Sequence, residues 1–505
     1  MSFCLSPVAS SASARRALLS LSLGVCRGAD SVGMEHFAFN RTPLARPDLV
    51  MRANAIHGDN ARLHRKLISG LPVTIAAIGT SNVVRGGCSD WQHLGRCYRK
   101  SSSLSDGLPR PWLLQAFTAM NRTWPHPGHR LINHGVYASG PEGPSTCLNQ
   151  FVPEDVDAVI IGYADRCDQR IVFRNSTFGL ELEATVRQLL LRPDSPTLVM
   201  WNFWKAKSYW CRQPGQKVGP QHPCSYHMTC EIEMNELAMF YGISAISFRN
   251  AFFLDTRDRR VRKQLAAYKL RNYPVKDFTV DDGGHFDFLL GDMLAAEILF
   301  SWIARASLAH SGPKVWALPQ PTTRLDLVPQ QWYTSKQQTG ALKAMVPALC
   351  YSFEDDFYGT VAPPVVLQSE SPGFEFIQYE YGHSGEQKVK PGWIANRTGS
   401  RLRVALVKGG SRMVSVGYLR SWASKARFMI SCVPPCSCSE SRIETKSLRR
   451  ITEGVKITKY SPFFRVESPS EMVACNIDLT VTKPDKQRFK FIALRVSITA
   501  NGSYA

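Results

Sequence analysis

Between residues 71 and 310 the hydrophobic positions fall into short apolar runs separated by longer stretches with helical spacing. The run at 73–78 is rich in β-branched residues, as strands buried on both faces are, and those at 129–136, 157–161, 196–203 and 243–248 also read as strands. Residues 111–121, 180–191, 232–241 and 289–307 repeat apolar positions every three to four residues, which predicts helices. Shorter helices are expected at 60–69 and 147–152. Strands alternating with helices in this way predict an α/β fold, a doubly wound parallel sheet of five strands with helices on both faces. Right-handed crossovers then bring the carboxyl ends of all its strands to one edge.

Outside that region the pattern changes. Residues 311–346 are rich in Pro, Gln and Thr and read as a linker. From 347 to 505 short β-rich runs recur at 365–367, 374–381, 402–407, 413–419, 428–432, 455–458, 475–481 and 489–499, with turn residues between them. That is the pattern of an antiparallel β-sandwich. The first run follows Pro363 and Pro364, so it is expected to be a brief edge strand. At the other end, Arg15 and Arg16 precede an apolar segment at 17–25, and no acidic residue occurs before Asp30. Residues 1–30 therefore read as a secretory signal, with an organelle-targeting peptide as the alternative. Residues 31–70 form an N-terminal extension. No run approaches the roughly 20 apolar residues of a membrane-spanning helix.

Candidate chemistry sits at two strand ends. The run at 73–78 stops at Gly79-Thr80-Ser81. A small hydroxyl residue there lies where open α/β sheets put their ligands, which makes Ser81 a candidate nucleophile; a plain polar turn is the alternative. About two hundred residues on comes Asp281-Asp282-Gly283-Gly284-His285. An Asp three residues before a His can hold its ring in one tautomer, leaving the other nitrogen to take a proton from a serine. Asp282 and His285 have that spacing.

With these blocks the segment 71–310 resembles the SGNH (GDSL-like) hydrolase family. Gly79-Thr80-Ser81 is similar to the family's Gly-Asp-Ser block, and Asp282 with His285 to its Asp-x-x-His block. The stretch Asn133 to Gly140 is similar to the second block, and the resemblance puts the oxyanion-hole glycine at Gly140. The third block normally supplies an Asn to the same hole. Here the corresponding Gly162-Tyr163-Ala164-Asp165-Arg166-Cys167-Asp168 has none, and ungapped alignment sets Arg166 at its position. A guanidinium there either donates to the oxyanion or pairs with Asp165 or Asp168. The resemblance implies a flavodoxin-like fold and ester hydrolysis by the triad Ser81, Asp282 and His285, without metal or cofactor. The oxyanion would be held by backbone N–H groups of Ser81 and Gly140 together with Arg166. Lys390-Pro391-Gly392-Trp393 and Val416-Gly417-Tyr418-Leu419-Arg420-Ser421 resemble segments of the β-domain that follows in algal-type members. An O-acyltransferase on glycans or an inactive glycan-binding protein would keep the same fold.

Composition narrows the setting. Fourteen cysteines, twelve of them beyond residue 30, and Asn-x-Ser/Thr sequons at Asn40, Asn121, Asn175, Asn396 and Asn501 agree on an oxidising secretory route, secreted or in the endomembrane lumen. Cys432, Cys436 and Cys438 suggest disulfides over zinc, because no paired CxxC spacing is present. The net charge of +20 is spread over the chain without a nucleic-acid motif, so nucleic acid is not expected as a partner. That location and the β-domain favour an O-acetylated polysaccharide as the ester substrate. Two aromatic groups bear on it. Trp201-Asn202-Phe203-Trp204, with Tyr209 and Trp210, either line a sugar cleft or pack in the core. Trp393 and Trp422 either bind glycan or lie in the core of the β-domain. Packing is the commoner role for such rings.

Overall fold

The computed structural model describes residues 52–58, 60–85, 111–136, 140–166, 177–204, 229–251, 290–309, 348–353, 362–377, 380–381, 387–388, 391–406, 410–420, 426–445, 457–483 and 489–497. The leader at 1–30 and the linker at 311–346 lie outside them.

Its first part runs β1 (Asn54–Ile56), α1 (Ala61–Ile68), β2 (Thr74–Gly79), α2 (Ser81–Arg85), α3 (Trp112–Thr123), β3 (Arg130–Gly135), α4 (Pro144–Phe151), β4 (Ala158–Gly162), α5 (Thr177–Leu190), β5 (Thr197–Asn202), α6 (Glu231–Tyr241), β6 (Ser244–Ser247) and α7 (Leu290–Ala309). Strands β2 to β6 are parallel and lie side by side in the order β3-β2-β4-β5-β6. These are the five strands the apolar runs predict. A sixth, β1, pairs antiparallel with β6 and closes that edge. The sequence placed it in the extension, because three residues carry no periodicity.

Alternation along each strand divides the core in two. Ile75, Ala77, Ala158, Ile160, Val199 and Trp201 face a layer with α1, α3 and α7. Ala76, Ile78, Val159, Ile161, Leu198 and Met200 face α4, α5 and α6. A strand buried on both faces needs apolar residues at every position, which is why these runs are unbroken. At the amino end of the sheet the buried Asp157 accepts hydrogen bonds from the Thr74 backbone N–H (2.9 Å) and Lys66 Nζ (2.8 Å), locking α1 to β2 and β4.

The second part is a sandwich of two antiparallel sheets. One contains β7 (Ala348–Ser352), Glu375–Ile377, Gly392–Ala395, Arg412–Arg420, Phe464–Glu467 and Phe489–Ser497; the other contains Val365–Val366, Arg401–Ala405, Arg427–Val433, Ser441–Glu444 and Asn476–Lys483. Leu402, Val404, Phe428, Ile430 and Leu479 of the second share one core with Val414, Val416, Phe491 and Leu494 of the first. Val365–Val366 is an edge strand of two residues, as its prolines require. Trp393 is buried in this core with Phe376 at 5.7 Å, which removes it from the glycan-binding surface and leaves it the packing role. Trp422 lies outside the described residues.

Cys432 bonds Cys438 and Cys436 bonds Cys475, so the cysteine cluster is a pair of disulfides. A further disulfide joins Cys147 on α4 to Cys350 on β7. Such bonds fit an oxidising compartment. Among the described residues no helix is long and apolar enough to cross a membrane.

Candidate active site

In an open α/β sheet the ligand crevice opens at the carboxyl ends of the strands where the winding direction reverses. Here the reversal falls between β2 and β4, since the chain goes outward to β3 and then back past β2 to β4. The residues leaving those two strands are Thr80 and Ser81 on one side and Tyr163 to Arg166 on the other.

Gly79 and Gly162 face each other across the pair. A Cβ on Gly79 would come within 2.5 Å of the Gly162 carbonyl oxygen and 2.4 Å of Val83 Cγ2, and one on Gly162 within 2.6 Å of the same methyl. Both positions therefore need glycine for α2 to turn this tightly off β2. The Thr80 N–H donates to the Gly162 carbonyl (3.0 Å), and the Val136 N–H to the Gly79 carbonyl (2.8 Å), tying three strand ends together.

Ser81 is the first residue of α2 and is half-buried at this edge. A buried polar network fixes its neighbours. Thr80 Oγ1 donates to the Asp165 carboxylate (2.9 Å to Oδ1, 3.0 Å to Oδ2), and Asn82 Nδ2 donates to Asp165 Oδ2 (3.1 Å). Asn82 in turn presents its carbonyl to Trp112 Nε1 (3.0 Å), and Asn133 Nδ2 donates to the Val83 carbonyl (2.8 Å). The residues on both sides of Ser81 are thus held from β3, β4 and α3. The sequence offered Asp165 only as a pairing partner of Arg166, and it did not reveal the network that joins Asp165 to Thr80 and Asn82.

Gly140 is buried beyond β3, ahead of the turn that enters α4. The Glu142 carboxylate folds back over it, with Oε2 2.2 Å from where a Cβ would stand, so a side chain at 140 must displace it. Burial and the nearby Glu142 both push the Tyr163 phenol well above its ordinary range, keeping it a neutral donor. His134 packs edge-on against Phe151 (6.0 Å between centroids), and burial lowers its pKa to about 4, so this imidazole is a neutral core residue. Arg166 ends the single 3₁₀ turn Ala164–Arg166 after β4. Asp282 and His285 lie outside the described residues. The structure therefore brings Ser81, Gly140 and the backbone of Arg166 to one sheet edge.

The aromatic segment after β5 is packing. Trp201, Phe203 and Trp204 are buried, and Trp201 stacks on Trp112 with centroids 4.4 Å apart. This corrects the sugar-cleft alternative for those rings; Tyr209 and Trp210 lie outside the described residues. Among the described residues no group of His, Cys, Asp and Glu is arranged to hold a metal ion.

No family model and no curated protein matches the chain. Among solved structures it is similar to a two-domain esterase (CEX) active on acetylated mannans, at 14% identity over 90% of this chain and 99% of that one, with a TM-score of 0.49. The same esterase co-crystallised with mannopentaose gives a TM-score of 0.47 at equal identity and coverage. A family two carbohydrate esterase from Cellvibrio japonicus is similar over 27% of this chain and 33% of that one, at 8% identity and a TM-score of 0.15.

Proposed function

We propose that the chain is an SGNH-type serine esterase that removes O-acetyl groups from a polysaccharide, with Ser81 as nucleophile, His285 as base and Asp282 as the carboxylate that orients it. The observation that carries this reading is Ser81 standing at the switch point of the sheet, on a turn braced by the Thr80–Asp165–Asn82 network. Water-exposed serines on ordinary loops have no such support.

Ser81 Oγ attacks the ester carbonyl as its proton passes to His285, whose cationic form Asp282 stabilises. The backbone N–H groups of Ser81 and Gly140, with Arg166 in the position of the missing Asn, take the charge that develops on the carbonyl oxygen. Collapse expels the sugar hydroxyl, which receives the proton back from His285. Water then repeats the sequence on the acetyl-serine and frees acetate and the enzyme.

Aryl-acetate hydrolysis by the wild type and by Ser81→Ala is the test. Removal of a serine nucleophile costs on the order of 10⁶ in kcat, so the variant is expected at background. Equal rates in the two proteins, or no hydrolysis by the wild type, would exclude the esterase. Faster loss of the aryl ester on adding an acceptor sugar, with acetyl recovered on the sugar, would assign the transferase instead.

A further inference from the structure

The turn that carries Gly140 is held from outside its own sheet. The Glu142 carbonyl accepts hydrogen bonds from Ser145 Oγ (3.1 Å) and Thr146 Oγ1 (3.2 Å), both at the start of α4. A further donor is Arg495 Nη2, which comes from the strand Phe489–Ser497 of the β-sandwich. The Arg495 guanidinium is itself buried and lies over the Tyr460 ring, 3.3 Å from the centroid. A planar cation stacked in this way has few other orientations open to it.

Arg495 does not act alone. Its cross-strand partner in the register is Cys350, so the two side chains leave the sheet on the same face. Cys350 is bonded to Cys147 one turn into α4, and its backbone N–H and carbonyl are both taken by the Gln150 side chain (2.7 and 3.1 Å). Positions 142, 147 and 150 are therefore fastened to two adjacent residues of one sheet. A fastening at three points fixes α4 in both position and rotation, and with it the backbone that leads from Gly140.

We infer that the β-sandwich is part of the catalytic edge, with Arg495 as a positioning residue that aims the Gly140 N–H at the oxyanion. This rests on the esterase reading for its chemistry. A donor displaced by about 1 Å costs on the order of 10²-fold in rate while leaving ground-state binding in place.

The test uses the full chain with Arg495→Ala and Arg495→Lys. For aryl-acetate hydrolysis, with active sites counted by an organophosphonate label on Ser81, Arg495→Ala is expected to lower kcat roughly 10- to 100-fold with KM nearly unchanged. Arg495→Lys keeps the charge without the stacked plane and should recover only part of the rate. An unchanged kcat per labelled site overturns the inference and leaves the esterase reading untouched. Amide hydrogen exchange over residues 140–147 supplies a readout that needs no turnover. Exchange there should rise in Arg495→Ala by more than in the core strands β4 and β5; equal exchange in variant and wild type overturns the brace even for a protein that proves inactive.

Discussion

Asp165 concentrates the physical cost of building this site. Its carboxylate is buried and accepts from a hydroxyl and an amide that have been taken out of water with it. Replacing it by Asn keeps the shape but removes the charge that both donors face and turns one of its two acceptor oxygens into a donor. That costs about 1–3 kcal/mol. Asp165→Asn is therefore expected to lower the unfolding free energy measured in urea by that amount and, by freeing α2, to lower kcat as well. Ser81→Ala should leave the unfolding free energy within about 0.5 kcal/mol of wild type, since residue 81 is only half-buried. An Asp165→Asn protein as stable as wild type would show that the network is not holding the turn. The contrast also explains what the sequence revealed here. The place of Ser81 at a strand end is legible because a glycine and a hydroxyl follow directly on an apolar strand. Asp165 is not, because its partners lie 85 and 83 residues away and linear spacing does not pair them.

Helix α7 was expected at nearly its observed bounds, yet it contains a residue that helical periodicity misjudges. Glu297 is buried within a stretch whose neighbours Ala296, Ile298 and Leu299 are core, and burial alone raises its pKa to about 8. At neutral pH the folded protein holds this carboxyl largely protonated, whereas the unfolded chain ionises near 4.5. The unfolded state then binds fewer protons, so the contribution is fully present below pH 4.5 and declines as pH rises to about 8. Denaturation midpoints of the wild type should fall across that window. In Glu297→Gln this component of the slope should vanish, and an identical slope in the two proteins would contradict the buried carboxyl. The comparison must be made by difference, because Glu231, raised to about 7 by burial, slopes the same way and His134, lowered to about 4, the opposite way. Strand legibility has a related cause. Strands β2, β4 and β5 are buried on both faces and announce themselves as apolar runs, whereas β1 and the pairs at Ser437–Cys438 and Ser441–Glu444 are made strands by their neighbours. Gly392–Ala395 belongs with them: its sequence reads as a turn, and only its place between two partner strands buries Trp393.

For the whole molecule the decisive bond is Cys147–Cys350, which spans 203 residues and joins the α/β sheet to the sandwich. A cross-link closing so long a loop removes much conformational freedom from the unfolded chain, and losing one typically costs about 2–5 kcal/mol. The Gln150 clasp on Cys350 and the Arg495 hydrogen bond are polar and lie beside the disulfide. Each part has its own hydrophobic core, so each can melt by itself once the link is cut. In the paired variant Cys147→Ser with Cys350→Ser, calorimetry should therefore show the unfolding transition broaden or divide, with the first transition below the wild-type midpoint. Turnover should fall alongside, because α4 carries the turn behind Gly140. Retention of a single sharp transition at the wild-type temperature would mean that the two parts cohere through surfaces other than this one.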